Sequence, residues 1–451
     1  MAAMKRKGSD KSARETPLRS EPGFQTAPYA EQWTPLTRLA FRFCFVYLGL
    51  FSLATQISGS MIPNLSFYYR GLGRLWPMRE ITYGTARALG AGVVDDGGVG
   101  GEPAFFWVQT LWLLIVAGVA TAIWTVADRR RENYVVLNKW FRVFIRFALA
   151  AAMLEYGMTK LIPTQFPAPS LEALVTPTGN MTLSALLWTT IGAAPAYEIF
   201  TGCIEVFGGI LLLAPRTTIL GAVISFAAMT QVFALNMTFD IGLKLVSLHL
   251  IIFALFLLAP DASRFADFFV WNRPTAASTH TRLLGQERAN RLALILQLVF
   301  GFYLVAMYAY INVRFWEVGG GGKPRSPLYG VWNVEQLSID GQFRAPELND
   351  YDRRWRRVIF DSPVDVVFQR TDDSFARFGA AVDPHNKTLA LAKGNSKTWK
   401  AIFAFERPST DRLVLDGEMD GHKIKLQLQL VEFDTFRLLN SRFRWVRPHD
   451  P

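Results

Sequence analysis

The sequence predicts an α-helical polytopic membrane domain of about seven transmembrane helices, followed by a soluble C-terminal all-β antiparallel barrel. Three observations carry this reading. Apolar runs long enough to cross a bilayer, which takes about 20 residues per helix, recur through the first three quarters of the chain. Only 19% of the 451 residues are charged, against about 25% in a typical soluble domain. Beyond residue 328 the apolar residues alternate with polar ones, the period of a half-buried strand.

The elements follow in order. Residues 1–32 are polar and basic, lack the apolar stretch and cleavage site of a signal peptide, and read as a disordered cytoplasmic tail. Spans are expected at 36–58, 105–127, 139–160, 195–214, 216–237, 242–260 and 292–313. Segment 183–193 stops just before Pro195 and reads as a short interfacial or re-entrant helix, because proline is tolerated best in the first turn of the helix that follows. The first two spans and their long loop make a flanking unit over 33–138, and 261–318 holds a basic loop and the last span. GGGG at 319–322 and KPRSP at 323–327 read as a flexible linker to a β domain over 328–451.

Charge sets the orientation. The net charge of +11 comes in short tracts beside apolar runs, the pattern that orients membrane proteins, and gives no support to nucleic-acid binding. The basic tail, Arg129–Arg131, Arg216 and the 261–291 loop are expected inside, and the 161–182 and 238–241 loops outside. The 59–104 loop carries four arginines and dissents, but long loops obey the rule poorly. The protein is thus expected in the cell (inner) membrane, with its N-terminus cytoplasmic and its β domain extracytoplasmic.

In the β domain, strands are expected within 364–370, 388–393, 399–406, 412–419, 423–433 and 436–446, separated by turn residues, as in an antiparallel meander that closes into a small barrel. Alternation places Leu426, Leu428 and Leu430 inward, and Lys425, Gln427 and Gln429 outward. The opening Tyr329-Gly330-Val331-Trp332 and the closing Arg442-Phe443-Arg444-Trp445 resemble the lipocalin and fatty-acid-binding barrels. There a Gly-x-Trp on the first strand closes the barrel floor beneath a late arginine. Such a barrel holds a ligand or is filled by its own side chains.

Ionisable groups inside a bilayer are costly and are functional candidates by default. Tyr156 and Lys160, four residues apart at the end of the third span, share a helix face, with Glu155 adjacent and Gln165 just beyond. The alternative is a snorkelling lysine beside an interfacial tyrosine. Glu198 and Glu205 are seven apart on the fourth span and share a face, close to Gly202 and Gly209; Glu198 is either functional or a complement to the helix dipole. Gln231, Asn236, Asp240, Lys244, Ser247 and His249 surround the turn between the fifth and sixth spans. Asp240 and Lys244 form an i,i+4 pair that reads equally as a structural salt bridge. His249 is a hydrogen-bonded core residue or a proton carrier. Arg142 is expected to snorkel, and Arg42 and Arg146 to pair with membrane carboxylates. No HExxH, cysteine cluster or Walker motif is present, so neither a metal site nor an ATPase is indicated. Cys44 and Cys203 lie far apart in apolar segments, so redox chemistry here would need a quinone or a partner protein.

Residues about 140–260 resemble the DoxX family of membrane proteins, and with its longer members the resemblance covers most of 33–270. The resemblance rests on Tyr156-Gly157-x-x-Lys160, Gln165-Phe166-Pro167-x-Pro169, Glu205 followed by Gly208-Gly209-x-Leu211-Leu212, and Asn236-Met237-x-x-Asp240 before Lys244. Arg38 with Phe41-Arg42-Phe43, and Asp128-Arg129-Arg130-Arg131-x-Asn133-Tyr134, are similar to its longer members. The resemblance implies a four-helix core over 139–260 with flanking helices. Relatives include a subunit of a thiosulfate:quinone oxidoreductase and membrane partners of thiol-redox proteins. By that analogy the bundle holds a quinone against Lys160, Glu205, Asp240 and His249, which relay protons, with Tyr156, Gln165, Glu198, Asn236 and Lys244 as binding contacts. The expected partners are the bilayer and a redox protein, and Glu205→Gln is expected to abolish activity without unfolding the protein. The alternatives are a protein that handles or transports a lipid or other lipophilic molecule, and a membrane scaffold without chemistry.

Overall fold

The computed structural model describes residues 32–63, 71–91, 102–275, 283–347, 350, 354–394, 400–440 and 445–446. Apart from Gln32, the expected N-terminal tail lies outside the described residues, as do Arg442 and Arg444.

The first helix, α1 (Pro35–Ala54), begins where Thr34 Oγ1 accepts the Thr37 N–H at 3.1 Å and Pro35 occupies the first turn. It breaks at Thr55 into the short α2 (Ile57–Met61), so the expected 36–58 span is two helices. Next come α3 (Met78–Ala88), α4 (Ala104–Ala127) and α5 (Val135–Leu161). The loop beyond α5 carries α6 (Leu171–Val175) and α7 (Leu183–Gly192). The chain continues with α8 (Pro195–Leu213), α9 (Thr218–Thr238), α10 (Lys244–Leu258), α11 (Ala262–Phe269) and α12 (Glu287–Val318).

Among the described residues, six helices are long and apolar enough to cross a membrane: α1, α4, α8, α9, the α10–α11 run and α12. The expected third span, α5, is too rich in charge to count among them, carrying Lys139, Arg142, Arg146, Glu155 and Lys160. It is nevertheless the centre of the bundle, and every residue from Ala148 to Leu154 is fully buried. Its 27 residues extend about 40 Å and run antiparallel along α8. Glycines set that approach: a Cβ on Gly202 would lie 2.5 Å from the Leu161 nitrogen, and one on Gly157 2.8 Å from the Val206 nitrogen. Packed along a membrane-length helix from Ala150 to Leu161, α5 joins those six in the bundle.

After α12 the expected flexible linker begins instead as a folded turn, in which the Gly320 and Gly322 N–H groups bond to the Trp316 carbonyl. The β domain is built from β1 (Gly330–Ile339), β2 (Gln342–Arg344), β3 (Trp355–Phe360), β4 (Asp365–Arg370), β5 (Phe375–Asp383), β6 (Thr388–Ala392), β7 (Lys400–Ser409), β8 (Arg412–Met419) and β9 (His422–Leu430). Every consecutive pairing from β3 to β9 is antiparallel, and β1 closes the ring by pairing with β3 on one side and β9 on the other. The short β2 stands outside this eight-strand circuit, paired to the end of β1. Leu426 and Leu428 are buried and Lys425 exposed, as the alternation requires. Trp332, Phe360, Phe368 and Phe403 are fully buried in a single cluster that packs the barrel interior.

The expected last strand at 436–446 is a correction. Residues 433–435 form a 3-10 turn and Arg437–Asn440 the short helix α13. Once β9 pairs with β1 the ring has no free edge for another strand, and Phe433 stacks instead on Tyr329 outside the barrel, centroids 5.7 Å apart.

The barrel sits on the loop that follows α5. Leu171 of α6, only 2% exposed, packs with Val331, Ile359 and Val367 on the barrel's outer wall. Around it Arg377 pairs with Glu172 at 2.5 Å, and the Leu171 N–H donates to Asp361 at 3.4 Å. This contact defines a barrel-side end of the bundle, the end where α5 finishes at Lys160.

Candidate membrane-embedded binding site

Lys160 and Glu205 meet at the α5–α8 crossing. The ammonium Nζ donates to both carboxylate oxygens, at 2.8 and 2.7 Å, and reaches the Tyr156 carbonyl at 3.5 Å. Lys160 is 6% and Glu205 2% exposed. Lysine therefore does not snorkel: the close glycine crossing brings Glu205 within its reach, and the pair is sealed inside the bundle.

The pair borders a cavity of about 120 Å³ between α5, α7, α8, α9 and α10. Tyr156, Gln165, Asn236 and Ser247 supply much of the polar part of its wall. Phe166, Trp188, Ile191, Met229, Val246 and Leu250 supply much of the apolar part. An engineered apolar cavity of about 150 Å³ accommodates benzene, so this space has the scale of one six-membered ring.

Each polar wall group is fixed by local structure. Gln165 accepts the Thr159 hydroxyl at 3.2 Å. Asn236 donates to Ser247 Oγ at 3.2 Å and to the Leu243 carbonyl at 3.3 Å. Leu243 is left-handed, with φ of 77°, a costly conformation for a leucine that surrounding contacts must hold. The Tyr156 hydroxyl accepts a hydrogen bond from Gln56, the residue just ahead of α2.

Five of the nine candidates from the sequence come together: Lys160 and Glu205 as the pair, Tyr156, Gln165 and Asn236 as wall. The other four stand elsewhere. Glu198 is fully buried behind the wall, where one carboxylate oxygen accepts the Phe166 N–H at 3.0 Å and holds the 165–166 turn in place. Its other oxygen has no protein partner. Asp240 and Lys244 form a 2.6 Å pair, but the Asp240 side chain is 71% exposed and neither residue lines the cavity. His249 lies on the other side of α10, stacked on Phe51 with centroids 3.4 Å apart. It bonds to the Tyr47 hydroxyl at 2.7 Å and the Leu245 carbonyl at 2.6 Å, which ties α10 to α1 as a core residue does.

The arginines also differ from expectation. Arg42 bonds to the Tyr134 hydroxyl, Thr125 and the Asp128 carbonyl, and reaches the Asp128 carboxylate only through Tyr134. Arg146 meets Gln297 and Thr218, both neutral.

Three residues escaped the sequence reading. Trp188 and Thr201 line the cavity, and an apolar ten-residue segment before Pro195 was the available signal for Trp188. Glu102, in the loop ahead of α4, lies close to the backbone N–H groups of Leu243, Lys244 and Leu245 at the start of α10. Burial pushes its carboxyl above the ordinary value, an effect those N–H groups and Lys244 oppose. Nothing local in the sequence marks it.

Fold and site together define a multi-pass membrane protein with a buried lysine–glutamate pair at a ring-sized cavity, joined to an eight-strand barrel. The chain belongs to the family of the uncharacterized protein YwoB of Bacillus subtilis (strain 168), to which it is 33% identical over 129 residues, 29% of this chain and 79% of that one. No family model and no solved structure matches it.

Proposed function

We propose that this protein is a DoxX-type membrane component of a quinone-linked redox system, and that its cavity holds the quinone headgroup beside Lys160 and Glu205. One observation carries the reading: a fully buried ion pair forms part of the wall of a cavity the size of a single ring. A buried ion pair is poor value as a stabilising device, since well-packed apolar residues serve as well or better. Its retention beside an open space argues for a role toward what fills that space.

The residues fit such a headgroup. Lys160 and Tyr156 offer donors on one side of the cavity and Asn236 and Ser247 polar groups on another, enough for two carbonyl oxygens across a ring. A bound quinone supplies the two-electron acceptor, with the electrons coming from a partner protein. Lys160 would hold a proton at Nζ beside the ring for transfer to one of its carbonyl oxygens, and Glu205 would fix the ammonium in that position. The apolar wall of α7 keeps bulk water from the pair. In this reading the barrel-side end faces out of the cell and the barrel, packed with its own side chains, is a docking domain rather than a second ligand site.

The test is native mass spectrometry of the purified full-length protein with identification of co-purified small molecules. A stoichiometric quinone that is lost in Lys160→Ala supports the proposal. A bound phospholipid in the same cavity, or quinone retained in Lys160→Ala, overturns it in favour of lipid handling.

A further inference from the structure

The walls of the cavity are uneven. At the end remote from the barrel, α8 and α9 are in tight contact: a Cβ on Gly208 would stand 3.3 Å from Ser225 Oγ, and one on Gly221 2.9 Å from the Leu212 nitrogen. Toward the barrel the two helices splay, and Tyr197 and Thr201 of α8 face Gln231 and Leu235 of α9 across the cavity. The barrel-side roof is closed. Phe166 packs on Trp188, centroids 4.8 Å apart, and a Cβ on Gly192 would fall 2.2 Å from the Pro167 carbonyl oxygen, so α7 lies directly on the 166–167 turn. The back is closed by α5 and α10, whose Leu250 is 1% exposed.

The α8–α9 side differs. Tyr197 is 46% exposed, and Gln231, in a helix otherwise apolar enough to span a membrane, is exposed as well. A glutamine turned out of the bundle within a span is costly against hydrocarbon, and one at the rim of a cavity has polar space to face.

We propose that the cavity is entered sideways from the bilayer through the gap between α8 and α9, so that the ligand is a single-ring polar headgroup carrying a hydrocarbon tail. The ring lies at Lys160 and Glu205, and the tail leaves past Tyr197, Thr201, Gln231 and Leu235 into the lipid. This rests on the quinone-headgroup reading and adds to it the route and the tail. A closed roof and an open flank leave a water-soluble metabolite no direct path, whereas a molecule already dissolved in the membrane arrives in the right place with its tail still in lipid.

The experiment uses the full-length protein in lipid nanodiscs with two probes: a tail-less benzoquinone and a long-tailed quinone bearing a diazirine on the first carbons of the tail. Photolysis of the tailed probe is expected to label Tyr197, Leu235 or their neighbours on α8 and α9. Gln231→Trp, checked for an unchanged melting temperature, is expected to slow association of the tailed probe at least tenfold. Labelling confined to α7 and the 165–167 turn, or an unchanged association rate in Gln231→Trp, overturns the lateral route while leaving the headgroup site standing. Failure of the wild-type protein to bind either probe overturns the headgroup reading, and this inference with it.

Discussion

Lys160 and Glu205, 45 residues apart in sequence, are joined by two hydrogen bonds of 2.8 and 2.7 Å inside the helix bundle, toward its barrel-side end. Removing one partner of such a pair leaves a charge buried without compensation, which costs about 3–5 kcal/mol. Glu205→Gln is therefore expected to lower stability markedly, against the sequence-based expectation of a variant that folds as wild type. The double change Lys160→Met with Glu205→Leu removes both charges and is expected to melt above either single variant. Melting temperatures in detergent check this; a double variant less stable than both singles would show that the pair itself stabilises the fold.

His249 touches neither the pair nor the cavity. His249→Ala is expected to cost about 2–4 kcal/mol, through the lost Phe51 stack and the orphaned Tyr47 hydroxyl. Quinone affinity is expected to stay within twofold of wild type, measured by titration of the folded fraction. A tenfold loss of affinity would return His249 to the site.

The α5–α8 crossing depends on Gly202, where an added Cβ meets backbone atoms that cannot yield. Gly202→Val is expected to force the helices apart, separate Lys160 from Glu205 and give aggregated or rapidly degraded protein. Size-exclusion chromatography reads the outcome. A monodisperse variant with wild-type melting would refute the tight crossing.

The barrel is seated on α6 by Leu171. Leu171→Asp places a carboxylate among Val331, Ile359 and Val367 and is expected to undock the barrel. Limited proteolysis of the full-length protein should then cut within 319–327 several times faster than in wild type. Gln165 and Phe166 belong to the same loop, so the cavity is expected to bind its ligand more weakly as well.

Asp340 gives the barrel an acid-sensitive contact. It accepts from His422 Nδ1 at 2.7 Å and from the Lys423 N–H at 2.9 Å. The His422 bond first, then the Lys423 N–H, hold its carboxyl below the ordinary 3.8. A carboxyl held low in the folded state contributes stability above pH 3.8, which is lost as the pH falls through the lower folded value. Asp340→Asn is thus expected to lower the melting temperature of the β-sheet signal at about pH 6, and to lower it less well below pH 3.8, where protonation removes the same contribution from the wild type. An equal loss at both would point to the turn geometry instead, since Asp340 has a φ of 51°.

The sequence by itself determined what local physics controls. Apolar runs of membrane length fixed six helices to within a few residues, and Pro195 fixed a helix start, because a bilayer forces each segment to satisfy its own backbone. Strict alternation fixed β4 and β6 through β9 for the same local reason. What depended on distant partners was not legible. That the described residues 436–440 form no strand follows only from β9 closing onto β1. That α5 tolerates its charges follows from its neighbours, where Glu205 pairs with Lys160, Ser60 donates to Glu155, and Gln297, Thr218 and the Leu257 carbonyl meet the two arginines. Glu205 belongs with Lys160, and His249 with Tyr47, because helix crossings decide which faces meet; residues on one face of one helix share a periodicity, but nothing in that periodicity says what the next helix brings to them.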